Sequence, residues 1–376
     1  MIRWGRTLAI AIAGIYAFLA LREWASIFAS PTFTDYLSYW TAGKFALAGS
    51  PDMAYDVAAH RAFEISLVDV KGKMLPFPYP PPFLILVTPF SVLPYAWSLI
   101  AWVIATLIAY AIASRRVIDL PYAMSHPSVL VNALIGQNGF LTAAIFTQGT
   151  CLLRKRPFVG GVLLGILIIK PQLALLLPVA VVAARLWPAI VGALASSAIL
   201  LLLSLVLFGT DVFVGFLKMF PLYAEMMRQS TWSWNSFVSV FAFLRYFGVD
   251  QIIALTVHAV VAAAAAVLTW IAWSRNWKEQ VPILAAATLL IPPYLLTYDA
   301  LLMIIPMGFW LKDEPRGRLA GLLWLLCFLP VAFYLNLYRG PNTVPLAAIV
   351  FLGVSVADRL RGKRLVSANM DRAHLI

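Results

Sequence analysis

Long apolar stretches alternate with short polar breaks along the whole chain. The first covers residues 7–28, interrupted only by Arg22-Glu23, and reads as an uncleaved membrane span. Further apolar segments cover 95–113, 122–135, 140–153, 158–169, 173–184, 188–208, 249–273, 281–290, 301–311, 319–335 and 344–357. The pattern predicts an all-α polytopic transmembrane helical bundle of about twelve spans. Several central segments fall short of the ~20 residues that a full crossing needs. Short, broken helices are therefore expected there. Their turns, Gly136-Gln137-Asn138-Gly139 and Lys170-Pro171-Gln172, should lie sunk below the outer membrane surface. A third break of this kind is Pro292-Pro293-Tyr294-Leu295-Leu296-Thr297-Tyr298-Asp299.

Two longer polar stretches, 31–82 and 209–247, read as the first and second external loops, together an outer-face loop domain. Residues 75–82 carry too many prolines for a helix, and their Tyr and Phe side chains suit the membrane interface. Residues 83–93 read as an amphipathic or re-entrant piece. No repeat at a fixed period interrupts 1–376, which is taken as a single integral membrane domain.

Composition removes the soluble alternatives. The chain is 62% hydrophobic and 12% charged, with mean hydropathy +0.88, too apolar to cover a soluble surface. The net charge of +12 does not signal nucleic acid. Most of the 28 basic residues cluster at alternate hydrophobic boundaries: Arg3/Arg6, Arg115/Arg116, Arg154/Lys155/Arg156, Arg185, Arg275/Lys278, Lys312/Arg316/Arg318 and a C-terminal group from Arg359. The positive-inside rule places these loops and both termini in the cytoplasm of an inner (plasma) membrane protein. The basic excess then reflects topology and contact with membrane lipid. Cys151 and Cys327 lie in apolar segments and predict neither a disulfide nor a reactive thiol. The four histidines are too scattered for a metal site.

Lys170 is the most informative candidate. It lies between two apolar runs, where an ammonium costs several kcal/mol unless it meets water, a partner or an anion. Pro171 discourages helix at Lys170, and a broken helix at membrane depth survives where it lines a cavity. A cation at such a break suits a phosphate. The alternative is a packing pair with a buried carboxylate, for which Asp299 is available. The phosphate role is expected, and with it a Lys170→Met variant that folds normally. Asp35, just after the first span, is a candidate general base, the alternatives being a solvated loop acid or a helix cap. Asp299, after a Pro-Pro break, could pair with Lys170, hold a sugar hydroxyl or act as base. No phosphate loop or dinucleotide fingerprint is present, and the cytoplasmic loops are too short for a nucleotide-binding domain. A lipid-linked donor fits better than a nucleotide sugar.

These residues carry a likeness that extends over most of the chain. It begins with Thr34-Asp35-Tyr36-Leu37-Ser38-Tyr39-Trp40-Thr41-Ala42-Gly43-Lys44, Leu47-Ala48-Gly49 and Ala54-Tyr55-Asp56. It continues through Phe77-Pro78-Tyr79-Pro80-Pro81-Pro82-Phe83, Pro89 and Leu93-Pro94, then Gly136-Gln137-Asn138-Gly139-Phe140-Leu141-Thr142-Ala143-Ala144. Arg156-Pro157-Phe158-Val159-Gly160-Gly161-Val162-Leu163-Leu164-Gly165 leads to Lys170-Pro171-Gln172, and Pro293-Tyr294-Leu295-Leu296-Thr297-Tyr298-Asp299 closes the series. In this order and spacing the chain resembles glycosyltransferase family 87, integral membrane enzymes of GT-C architecture that use polyprenyl-phosphate sugars.

The resemblance implies a mannosyltransferase-like enzyme of the cell envelope, with Asp35 in the position of the catalytic base. The expected function is inverting transfer of mannose, or another hexose or pentose, from a polyprenyl-phosphate donor to a lipid or polysaccharide acceptor at the outer face. Lys170, Gln137, Asn138 and Gln172 are the candidate ligands of the donor phosphate. Asp299, Tyr298, Tyr79, Trp234 and Asn235 are candidates for the sugar and acceptor, with Tyr79, Trp232 and Trp234 as stacking surfaces or, alternatively, interface anchors. Partners are the donor, a glycan or glycolipid acceptor and membrane lipid, with no nucleic acid. No cofactor or metal is called for if lysine neutralises the phosphate. The rival class is a lipid or glycolipid transporter or flippase, which also uses broken helices.

Overall fold

The computed structural model describes residues 2–30, 34–68, 76–228, 234–312, 316–335 and 337–373. Among the described residues, four helices are long and apolar enough to cross a membrane: Gly5–Ala29, Tyr95–Ser114, Trp187–Phe208 and Gln251–Ser274. Their ends follow from local chemistry. Pro94 precedes Tyr95. Asp250 Oδ1 accepts the Ile252 and Ile253 N–H groups at 2.8 and 3.2 Å, capping the fourth helix. Gly209, at φ +78°, ends the third. Large apolar side chains such as Val206 and Ile252 project outward from them, which suits a lipid solvent.

Several of the remaining segments form short or divided helices, as expected for the centre of the chain. Residues 122–135 divide at Ser125-His126-Pro127 into Leu120–Met124 and Pro127–Ile135, because proline can start a helix but not continue one. Residues 158–169 form the helix Pro157–Gly165 and then a 3-10 turn, Ile166–Ile169. Only Leu177–Ala183 of 173–184 is α-helical. Residues 301–311 enter through the 3-10 turn Thr297–Met303 and continue as Ile304–Leu311. The last pair is Gly317–Tyr334 and Val344–Ala373.

The stretches read as external loops are themselves helical. The first contains Tyr36–Leu47, the 3-10 turn Pro51–Tyr55 and Val57–Leu67. The second contains Asp211–Arg228 and Val240–Tyr246. Residues 76–82 turn their aromatic side chains into the protein rather than outward. Phe77 and Tyr79 are buried, because the proline-rich segment threads an aromatic cluster with Tyr39, Phe83 and Trp102. Cys151 and Cys327 are unpaired.

Two contacts bring the broken segments to one place. Helix Pro157–Gly165 packs backbone against backbone on Trp187–Phe208. A Cβ on Gly161 would meet Ala189 backbone atoms, and one on Gly192 the carbonyl of Phe158. Such small-residue seams are the usual means of close helix approach in lipid, where apolar side chains gain little by leaving the bilayer. At the other side, Phe237–Val238 pairs antiparallel with Leu295–Leu296, Phe237 opposite Leu296 and Val238 opposite Leu295. This ladder ties the second polar stretch to the late break.

Candidate functional site

Three breaks in the helices meet around one buried network. The first is the turn between Pro127–Ile135 and Gly139–Leu152. Gly136 ends the earlier helix in the left-handed conformation, at φ +69°, where a side chain would be strained. A Cβ there would also strike Leu99 and lie 2.6 Å from the Tyr36 Cβ. The Gly136 carbonyl accepts the Trp102 indole N–H at 3.0 Å. Gly139 opens the next helix where a Cβ would lie 2.7 Å from the Tyr298 carbonyl. The turn is thus held close against its neighbours, and its two amide side chains, Gln137 and Asn138, are aimed inward and buried.

The second break is at Lys170. Its backbone, φ −148° and ψ 71°, separates two 3-10 turns, as the following proline demands. The ammonium is 2% exposed. Lys170 Nζ donates to Asp299 Oδ1 at 2.5 Å and to Asn138 Oδ1 at 3.1 Å, and lies 4.4 Å from the Tyr298 ring centre. Asp299, on the third break, is equally buried. Its second oxygen accepts the Leu296 N–H at 3.3 Å, so the turn that carries it also fixes it. Asn132 braces this turn from below, its amide donating to the carbonyls of Ser128 at 2.8 Å and Tyr298 at 3.1 Å. Of the two roles open to Lys170, the packing pair with Asp299 is formed.

Asp35 lies at the N-cap position of Tyr36–Leu47, yet its side chain makes no capping bond. It accepts instead from Gln137 Nε2 at 2.9 Å. Gln137 Oε1 faces the hydroxyls of Tyr39 and Tyr79, themselves 2.8 Å apart, and the Asn138 N–H. A continuous polar path therefore runs from Asp35 through Gln137 and Asn138 to Lys170 and Asp299. It is walled by Tyr39, Tyr79 and Tyr298. Next to Asp35, the Thr34 hydroxyl meets the Tyr95 hydroxyl at 2.7 Å.

The remaining candidates divide. Tyr79 and Tyr298 are buried in the network. The Tyr79 ring is packed against Tyr39, Phe77 and Phe83. Gln172 is half-buried and, among the described residues, makes no hydrogen bond into the network. Trp234 belongs to a separate cluster with Phe237, Phe241 and the Arg245 guanidinium. Asn235 is buried beside that cluster, and its carbonyl accepts from Asn342 Nδ2 at 3.2 Å. Trp232 lies outside the described residues.

Sequence reasoning missed Tyr39, Asn132 and Asn342. Tyr39 carried a signal: it follows Asp35 by four residues, so one helical turn puts both on one side. Asn342 carried none. It reaches back to the Thr297 hydroxyl at 3.0 Å across contacts that only the tertiary fold creates.

Helices of membrane-crossing length, joined by shorter helices broken around buried amides, carboxylates and one lysine, define a polytopic membrane protein with an internal polar site. Residues 77–297 match the family model described as glycosyltransferase family 87. That is well over half of the chain, and the protein belongs to this family. No curated protein and no solved structure matches the chain.

Proposed function

We propose that this glycosyltransferase moves a sugar from a polyprenyl-phosphate donor to a lipid or polysaccharide acceptor, with inversion, at the outer face of the plasma membrane. Asp35 supports this reading most directly. It is a carboxylate placed where a helix cap would be, released from capping, and joined through Gln137 and Asn138 to a buried cation.

In the proposed step Asp35 accepts the proton of the acceptor hydroxyl. The acceptor oxygen attacks the anomeric carbon, and the carbon–oxygen bond to phosphate breaks with its electron pair leaving on polyprenyl phosphate. Charge grows on that phosphate as the bond breaks. A fixed cation in a site with little water stabilises it well. Lys170 has three N–H donors. Asp299 and Asn138 take two, and the third is assigned to a phosphate oxygen. Tyr79, Tyr298 and Asp299 are assigned to the sugar. Gln172, Trp234 and Asn235 are kept for parts of the donor or acceptor farther from the reacting carbon. The orientation, with both termini cytoplasmic, rests on the alternating basic clusters. Mannose is the first sugar to test, then other hexoses and pentoses. No observation favours the transport reading.

Mass spectrometry of lipid-linked glycans and envelope polysaccharides in a deletion strain tests the assignment. The expected result is a glycan shortened by one kind of sugar, with its polyprenyl-phosphate donor accumulating. An unchanged glycan and donor profile would remove the proposed function.

A further inference from the structure

We infer that Gln137 is a positioning residue for the base, holding the Asp35 carboxylate in one orientation, and not a ligand of the donor phosphate. This rests on the reading of Asp35 as the base.

The inference begins with the amide itself. A glutamine side chain presents an acceptor oxygen on one side and two N–H donors on the other, and its neighbours decide which faces where. Here both neighbours are unambiguous. The Asn138 backbone N–H, 3.4 Å from one end, can only donate. The Tyr39 and Tyr79 hydroxyls crowd the same end. That end is therefore the oxygen. Asp35, 2.9 Å from the other end, is a carboxylate in its proposed role as base and can only accept there. That end is therefore the NH2 group. Rotating the amide by half a turn would set oxygen against carboxylate and NH2 against a backbone N–H.

The amide is also unable to drift. Its own backbone sits in the turn closed by Gly136 at φ +69°, whose carbonyl is held by Trp102. Its oxygen is held by two phenols that pack into the buried aromatic cluster. One Asp35 oxygen is thus tied to a rigid part of the molecule. The acceptor hydroxyl is assigned to this carboxylate. A base held this way needs no reorganisation to meet its proton, and misplacement by about 1 Å can cost about 10²-fold in rate. Gln137 has its oxygen committed to the phenols and its NH2 group turned to Asp35, so its donors face the base.

Gln137→Glu tests the idea and keeps an oxygen for the phenols and the Asn138 N–H, so the turn should still close. It replaces the NH2 donor with a second carboxylate beside Asp35. Two carboxylates at this distance share a proton. Besides each other, the ionisable groups that feel Asp35 are Tyr39, Tyr79, Tyr95 and Tyr298, with the Lys170–Asp299 pair beyond. The readouts are kcat, donor KM, the pH–rate profile and the melting temperature of the full-length protein in lipid nanodiscs, with a polyprenyl-phosphate mannose donor. The expected result is kcat lower by about 10²-fold, an acid limb displaced toward alkaline pH, an unchanged donor KM and a near-normal melt. Gln137→Met, which lacks the donor but adds no charge, should lose kcat similarly without the displacement.

A raised donor KM with the wild-type pH profile would overturn the inference and return Gln137 to the phosphate. So would wild-type kcat in folded Gln137→Met. If Gln137→Met does not fold, Gln137→Glu decides alone: an unmoved pH profile overturns the inference. Asp35→Asn separates the two levels. An active Asp35→Asn removes the base and the inference with it, whereas an inactive Asp35→Asn beside a fully active Gln137→Glu removes the inference alone.

Discussion

Lys170→Met keeps the length of the side chain and removes its charge. Its effect follows from the pair it breaks. Lys170 and Asp299 are each 2% exposed and meet at 2.5 Å. After the change, Asp299 Oδ1 has lost its cation, and only the 3.3 Å bond from the Leu296 N–H still serves the carboxylate. Asn138 Oδ1 loses its donor as well. No cavity opens, because methionine fills the stem, so the loss is electrostatic. Removing one member of a buried pair costs about 3–5 kcal/mol. In a protein of this size that corresponds to about 4–6 °C in melting temperature. This revises the expectation from sequence of a variant that folds normally. Thermal melts in detergent or nanodiscs read the single variant against Lys170→Met/Asp299→Leu. The double variant leaves no orphaned charge and should recover most of the loss, since apolar replacement of a buried pair is often neutral. It should nonetheless transfer little sugar, because the cation for the leaving phosphate is gone. A single variant as stable as wild type would refute the paired resting state. A double variant that is stable and fully active would refute the role of Lys170 at the phosphate.

Gly136→Ala should destabilise by about 1–3 kcal/mol, since it forces a side chain at positive φ into Leu99 and Tyr36; a melt equal to wild type would contradict the turn geometry. The N–H groups of Ile253 and Ile252 hold the Asp250 carboxyl below its ordinary range. A lowered folded-state value contributes stability that is present above the ordinary carboxylate range and lost as pH falls through the folded value. Melts of Asp250→Asn and wild type should therefore converge on acidification, and a constant difference down to low pH would count against the cap. Ser50→Cys should react with a membrane-impermeant thiol reagent from the outer side, and labelling only from the cytoplasmic side would invert the proposed topology.

Much of the site was legible because its causes are local. A proline after Lys170 forces a break wherever the chain goes. A Gly-Gln-Asn-Gly turn between apolar runs must aim its amides at something other than lipid. Asp35 could be singled out by position. Its partner could not, because the bond to Gln137 joins residues about a hundred positions apart. The pairing of Lys170 with Asp299 was legible only as one of two options, since burial decides between them. Span count is not settled by hydropathy for a related reason. Hydropathy records that a segment is apolar, not whether lipid or protein surrounds it. Segments such as Leu177–Ala183 and Gln280–Thr288 are short helices, the second of them almost wholly buried. The same blindness hid helices such as Val57–Leu67 in stretches that polar composition marked as loops.

The most direct measurement is sugar transfer by the purified protein in nanodiscs. It would use a polyprenyl-phosphate mannose donor labelled in the sugar, envelope glycolipids as acceptors, and wild type beside Asp35→Asn. The expected result is release of polyprenyl phosphate and a glycoside of inverted anomeric configuration from wild type. Asp35→Asn should bind donor and melt normally while turning over about 10²–10⁴-fold more slowly. Transfer by Asp35→Asn at the wild-type rate, or a product of retained configuration, would contradict the mechanism.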